Sequence, residues 1–159
     1  MEGAFAWQYD RWDGSRLNPV AGMVIAEALV RIHVNGQELA TFMCTPRELD
    51  RLALGFLRSE GFIQDIEDVR LVTVCPSQTC VDVWLRTAAF APPSRPIVTS
   101  GCGGGITFDD LSQRAPAVTS QRRVSPEQIS DGLRQLLAAA TLYRLTRGVH
   151  TSALSDGQR

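Results

Sequence analysis

The sequence predicts a mixed α/β fold with two β-hairpins and about three helices. Three observations carry the prediction. Two pairs of β-branched runs are each joined by a turn-forming stretch, and apolar residues recur at helical spacing behind Thr45 and again behind Ser125. A chain of 159 residues with 44% hydrophobic residues can bury a core of its own, since domains run to about 100–200 residues.

Residues 1–23 mix Trp7, Tyr9 and Trp12 with Asp, Arg, Gly and Pro. With no sustained period they are expected to form an arm, residues 1–24, that packs its aromatics without becoming a unit, ahead of a single domain over residues 25–159. Val30, Ile32 and Val34 then alternate with Leu29, Arg31 and His33. Asn35-Gly36 supplies a type I′ turn, and Leu39 to Met43 returns as the second strand of a hairpin. Thr45-Pro46-Arg47-Glu48 predicts a helix start, with threonine as cap, proline in the first turn and Glu48 closing a capping box. Leu49, Leu52, Ala53, Phe56 and Leu57 fall on one face of that helix, and Gly61 ends it. Gly55, costly in a helix by about 1 kcal/mol, is expected to admit a close backbone approach.

Val69 to Cys75 and Cys80 to Arg86 predict the second hairpin, and Ala91 to Pro96 a stiff connector. Ile97 to Ser100 reads as a short strand running into Gly101-Cys102-Gly103-Gly104-Gly105, after which Thr107-Phe108-Asp109-Asp110 reads as a capped helix start. Ser125-Pro126-Glu127-Gln128 opens the longest helix, expected to carry Ile129, Leu133, Leu136, Leu137, Ala140 and Tyr143 on one stripe and to stop near Arg147-Gly148.

Charge narrows the function. With 16 basic residues against 17 acidic ones, the chain lacks the clustered cationic excess that nucleic acid or an anionic membrane requires. No apolar run approaches the about 20 residues of a membrane helix. Every basic residue is arginine, which excludes lysine Schiff bases and lysine general bases. The N-terminus shows no basic-then-apolar leader, so the four cysteines are expected to be reduced thiols of the cytoplasm.

Cys102 is the best nucleophile candidate. Four glycines around one thiol, between a strand and a helix start, let backbone N–H groups approach an anion and favour the thiolate over an ordinary thiol of pKa about 8.5. Asp109 and Asp110 oppose that effect and otherwise serve as helix-capping acids. The same stretch is not a P-loop, lacking Gly-Lys-Ser/Thr, and Phe108 stands where a dinucleotide fingerprint needs its last glycine. Cys75 and Cys80 flank a turn at loose zinc spacing, but with no second Cys/His pair they read as structural, and no metal site is predicted. Cys44 reads as packing and His33 as a sheet-face residue. His150, after a glycine at a helix end, is a candidate to face a cleft.

Taken together, Val34-Asn35-Gly36, Met43-Cys44-Thr45-Pro46, the run Leu52 to Gly61, Thr99-Ser100-Gly101-Cys102-Gly103 and Thr146-Arg147-Gly148-Val149-His150 resemble one family, the formate dehydrogenase accessory sulfurtransferases (FdhD). The resemblance runs from about Glu27 to Asp156 and covers the amino-terminal part of such proteins, which continue further. It implies a cytidine-deaminase-like layered α/β fold, here incomplete and without the deaminase zinc. It also implies a sulfurtransferase in which Cys102 carries a persulfide received from a cysteine desulfurase. The sulfur passes to the molybdenum or tungsten guanine-dinucleotide pterin cofactor of the formate dehydrogenase catalytic subunit. That pterin is the acceptor substrate, with no permanently bound cofactor. Gly103, Gly104 and Gly105 would hold the anionic sulfur or a phosphate, with His150 lining the cleft; a homodimer is also allowed for. Two positions depart from the family pattern. Gly105 stands where many members have the second cysteine of a C-x-x-C pair, and Arg147 replaces the first glycine of T-G-G-V-H. The rival reading is a non-catalytic cofactor-binding chaperone for formate dehydrogenase.

Overall fold

A computed structural model describes residues 3–91, 97–98, 106–107 and 119–156, with backbone only at 97–98 and 106–107. The architecture is mixed α/β, as the sequence predicts. The chain divides into two compact units: residues 1–26 with 115–159, and residues 27–114.

The unit of residues 27–114 is built on a four-stranded sheet. Strands β3 (Ala28–Val34), β4 (Gln37–Cys44), β5 (Val69–Val74) and β6 (Cys80–Leu85) lie in the order β4-β3-β6-β5. Both predicted hairpins form, and they meet through a parallel β3–β6 pairing in register Arg31↔Cys80 to Val34↔Val83. Asn35 and Gly36 take φ of 50° and 80°, the pair of left-handed conformations that a type I′ turn needs. Asn35 then fastens the two hairpins together. Its Oδ1 accepts from Leu85 N at 2.8 Å, its Nδ2 donates to the Thr87 carbonyl at 2.9 Å, and its own N–H donates to Val83 O at 2.9 Å.

Alternation sorts the strands into two faces. Val30, Ile32, Val34, Val81 and Val83 are shut off from solvent and meet helix α1 (Leu49–Ser59) through Leu49, Ala53 and Leu57. Each such side chain contributes about 1.5–3 kcal/mol by leaving water. Phe42 and Phe56 add an edge-to-face contact at 4.9 Å.

The start of α1 corrects the capping prediction. No Thr45–Glu48 box forms: the helix begins at Leu49, and Glu48 is its N-cap in the left-handed region, φ 49°, with no side-chain cap bond. Glu48 instead pairs with Arg51 at 3.6 Å. The chain bends from β4 through residues 45–48 to lay the apolar stripe on the sheet, and that burial outweighs the local capping preference. Gly61 does end the helix, at φ 74°, with Phe62 N donating to Leu57 O at 2.9 Å. Gly55 is likewise corrected. A Cβ there would meet nothing within 4 Å, so among the described residues no backbone approaches it.

The other unit has regular structure where the sequence shows no sustained period. Strands β1 (Ala4–Trp12) and β2 (Leu17–Ile25) form a full antiparallel hairpin from Ala4↔Ile25 to Trp12↔Leu17. Its turn is organised by the Asp13 carboxylate, which accepts from Ser15 N, Ser15 Oγ, Arg16 N and Asn18 Nδ2. Phe5, Trp7 and Tyr9 stand on one face but stay about half exposed, and the Tyr9 ring covers the bare backbone of Gly22.

The long C-terminal helix is in fact two. Helix α2 (Pro126–Ala139) opens with the predicted Ser125–Gln128 capping box, in which Gln128 N donates to Ser125 Oγ at 3.3 Å and Ser125 N donates to Gln128 Oε1 at 2.9 Å. It stops at Ala140, whose ψ of 64° leaves the helical region, and α3 (Thr141–Thr146) follows. Buried Ala140 redirects the chain so that α3 packs on β2. The break leaves Ile129, Leu133, Leu136 and Leu137 of the predicted stripe on α2 and Tyr143 on α3, and Ile129, Leu133 and Leu137 remain about half exposed. No helix among the described residues is long and apolar enough to cross a membrane.

Candidate functional site

Two strands bracket the Cys102 loop. Strand β7 (Ile97–Val98) pairs antiparallel with β8 (Ile106–Thr107) in register Ile97↔Thr107 and Val98↔Ile106. Paired residues of an antiparallel ladder stand about 4.5–5.5 Å apart, so Val98 and Ile106, on either side of the Cys102 segment in sequence, are neighbours. Cys102, Gly103, Gly104 and Gly105 themselves lie outside the described residues, as do Asp109 and Asp110. Thr107 belongs to β8, and the helix start expected at Thr107 to Asp110 continues outside the described residues.

His150 is exposed, beyond α3. It borders a cavity of about 200 Å³ with Leu136, Ala140 and Tyr143. The backbone reaches it through Arg147, which caps α3 at φ 56°. Arg147 thus adopts the left-handed conformation that glycine favours, and its guanidinium lies 5.2 Å from the centre of the Tyr143 ring. Gly148 follows against Ile25, where a Cβ would come within 3.2 Å of Cγ2.

The remaining cysteines differ sharply from one another. Cys44 packs against the core, and burial, aided by the Glu27 charge, pushes its thiol up. Its role as packing stands. Cys75 and Cys80 close the β5–β6 hairpin next to the Val74↔Val81 pair, with Cys75 N donating to Cys80 O at 3.0 Å. The Cys75 carbonyl turns instead to Gln78 N, at 2.9 Å, and Gln78 takes φ 54°. That turn leaves Cys80 N free to donate to Cys75 Sγ, at 2.9 Å. The Ser77 hydroxyl lies 3.2 Å and the Thr79 hydroxyl 3.9 Å from the same sulfur. Hydrogen bonding from Cys80, then from Ser77 and Thr79, lowers the Cys75 thiol to about 6. Cys80 moves the other way, raised first by its bond to Cys75, then by burial and the charges of Cys75 and Asp82.

Sequence spacing shows a cysteine pair here but not a thiolate. The overlooked signal is the pair of hydroxyl residues, Ser77 and Thr79, within the turn. Beside them on the same sheet face, His33 Nδ1 is shielded from solvent and lies 3.4 Å from Asp82 Oδ1 without hydrogen-bond alignment. Among the described residues no three His, Cys, Asp or Glu side chains gather as metal ligands.

Comparison with known proteins gives consistent results. The FdhD/NarQ family model matches residues 25–159. The sulfur carrier protein FdhD of Staphylococcus aureus (strain MRSA252) is 32% identical over 152 residues, covering 92% of this chain and 57% of that protein. The sulfur carrier protein FdhD of Staphylococcus haemolyticus (strain JCSC1435) is 30% identical, covering 92% of this chain and 58% of its own length. The chain therefore spans little more than half the length of these curated relatives. In structure it is similar to a protein from Desulfotalea psychrophila described as a formate dehydrogenase accessory protein. The TM-score is 0.68 at 20% identity, over 91% of this chain and 55% of the other, a likeness of fold.

Proposed function

The chain belongs to the FdhD/NarQ family, and from that premise we propose that it is a sulfur-carrying accessory protein for formate dehydrogenase, with Cys102 as the sulfur-bearing residue. The observation that carries the reading is the family match running through the Cys102 segment, bracketed by the β7–β8 pairing. Relatives named as sulfur carriers support it.

In this mechanism the Cys102 thiolate attacks the outer sulfur of a persulfide on a cysteine desulfurase. A bond forms between Cys102 Sγ and that sulfur, the S–S bond of the donor breaks, and the donor cysteine leaves as a thiolate. The Cys102 Sγ–S bond then breaks, Cys102 leaves as a thiolate, and the outer sulfur passes at the sulfane level to the molybdenum or tungsten guanine-dinucleotide pterin of formate dehydrogenase, the acceptor substrate. A thiol needs ionisation and access for this role, and glycines at 101 and 103–105 admit both, since their N–H groups can approach an anion without side-chain obstruction. Gly103, Gly104 and Gly105 hold the sulfur anion in this reading. The deaminase-like layering belongs to the same proposal and is supported by the sheet with α1 on one face. The cytoplasm is the compartment that keeps thiols such as Cys44, Cys75 and Cys80 free.

The test is incubation with a cysteine desulfurase and free cysteine, followed by intact and peptide-resolved mass. One added sulfur atom on the peptide containing Cys102, lost in Cys102→Ser, is the expected result. No adduct on the wild type, or an undiminished adduct in Cys102→Ser, overturns the assignment. Guanine-nucleotide binding that survives Cys102→Ser without any sulfur adduct would favour the chaperone reading.

A further inference from the structure

We propose that Cys75 and Cys80 form a second thiol site, apart from the Cys102 loop in sequence, in which Cys75 attacks a small-molecule disulfide and Cys80 resolves the product into an intrachain disulfide. The site is assembled by the β5–β6 turn. Two donors can serve one sulfur at a time: the Cys80 N–H at 2.9 Å, and one of the Ser77 and Thr79 hydroxyls, which lie 3.2 Å and 3.9 Å from it and are hydrogen-bonded to each other at 2.8 Å. A neutral thiol is a weak acceptor, whereas a thiolate, which accepts only, is stabilised by each donor.

The partner is in reach. Cys75 and Cys80 face one another at the end of the hairpin, joined by Cys75 N donating to Cys80 O, and opposed Cα atoms of an antiparallel pair stand about 4.5–5.5 Å apart, inside the about 4.4–6.8 Å span of disulfides. Residues opposite one another share a sheet face, so both thiols lie with Asp82 and Thr73 on the side that α1 does not cover. Register places Arg31 beside Cys80 and His33 beside Asp82. That face is open: Leu29, Met43 and Leu71 are each more than half exposed. A dissolved disulfide can therefore approach it.

The two cysteines are unequal, which assigns their roles. Cys75, the more acidic, is the attacking sulfur; Cys80 keeps its proton until needed. First the Cys75 thiolate bonds to one sulfur of the disulfide RSSR and RS⁻ departs, taking up a proton from water. Cys80 then loses its proton to solvent and attacks Cys75 Sγ. The Cys75–Cys80 bond forms, the mixed disulfide breaks, and a second RS⁻ leaves. Counted from the two thiols, Cys75 having ionised beforehand, the protein gives up two electrons and two protons, the second RS⁻ is protonated like the first, and RSSR becomes two RSH.

The magnitude is testable because low pKa has two effects. At pH 6 about half of Cys75 is ionised, against about 0.3% of an ordinary thiol of pKa 8.5. The weaker nucleophilicity of the more acidic sulfur cancels roughly a factor of ten of that. About a ten-fold rate advantage remains at pH 6, falling to about two- or three-fold at pH 7.

The experiment uses the unaltered chain with glutathione disulfide as the probe. Peptide-resolved alkylation by iodoacetamide between pH 5 and 9 should show Cys75 labelling with an inflection near pH 6, while Cys44 labels only at high pH. After glutathione disulfide treatment the chain should lose two hydrogens, with neither Cys75 nor Cys80 alkylatable. Cys80→Ser should halt at a glutathione adduct on Cys75. The same disulfide should form in Cys102→Ser, so failure here is separable from failure of the sulfur-carrier reading. An ordinary thiol profile at Cys75 overturns the proposal, and so does an adduct in Cys80→Ser that settles on Cys44 or Cys102. A wild type that retains glutathione on Cys75 overturns the resolving role of Cys80. The alkylation profile needs no variant, so misfolding of a mutant cannot shield the idea.

Discussion

Replacing Asn35 separates three contributions that the fold combines at one residue. Alanine there must hold φ near 50°, at about 1–2 kcal/mol for a side chain in the left-handed region. It also removes the acceptor of the partly buried Leu85 N–H, leaving a donor unsatisfied at about 1–3 kcal/mol. The lost bond to Thr87 O is exposed and adds about 0.5–1.5 kcal/mol. Because neighbouring effects do not sum fully, Asn35→Ala should cost about 3 kcal/mol. Asn35→Gly escapes the backbone penalty and should cost about 2 kcal/mol. Asn35→Asp keeps an acceptor for Leu85 and tolerates the left-handed region, losing only the donor, for about 1 kcal/mol. Urea unfolding followed by circular dichroism reads the series. With a slope of about 2 kcal/mol/M, the alanine midpoint falls by about 1.5 M. Amide exchange at Leu85 should quicken in the alanine and glycine variants and not with aspartate. A glycine variant with the wild-type midpoint, or aspartate as damaging as alanine, would refute the claim that the side-chain bonds join the hairpins.

Three further outcomes follow from the same geometry. Ile32→Ala empties a site with 0% exposure between the sheet and α1, and should cost about 2–5 kcal/mol in urea unfolding; a loss under 1 kcal/mol would mean the core is not centred there. Ser125→Ala removes the α2 cap and should cost about 1 kcal/mol of local helix stability, seen as faster exchange of the Gln128 amide. Asp13 is held below the usual carboxylate range by the Arg16 N–H, then by Ser15 and Asn18. With the folded value depressed, its contribution is complete above the unfolded carboxylate pKa of about 3.9 and is lost as pH falls below that toward the folded value. Protection of the Ser15 and Arg16 amides should therefore decline in acid for the wild type. Asp13→Asn should flatten that decline, and an unchanged profile would remove Asp13 from the turn's organisation.

Where a residue's own backbone preference dictated the outcome, the sequence was enough. Asn35-Gly36, Gly61 and Ser125 to Gln128 each specify a conformation through local sterics or one short-range hydrogen bond. The alternation of β3 and β6 and the stripe of α1 are read off correctly because one face of each is buried. The family was legible for a related reason: its motifs sit at these turns and along this stripe. The N-terminal hairpin escaped because Phe5, Trp7 and Tyr9 alternate on a strand whose faces are both largely exposed, so no apolar-in, polar-out contrast marks it. Glu48 and Ala140 depart from their local preferences because long-range packing of α1 on the sheet and of α3 on β2 outweighs about 1 kcal/mol of capping or propensity. Two further features depend on residues far apart or folded back on one another: the parallel meeting of β3 with β6, and the donors gathered around Cys75. Spacing along the chain locates the two thiols, whereas only the folded turn brings hydrogen-bond donors to one of them and lowers its pKa.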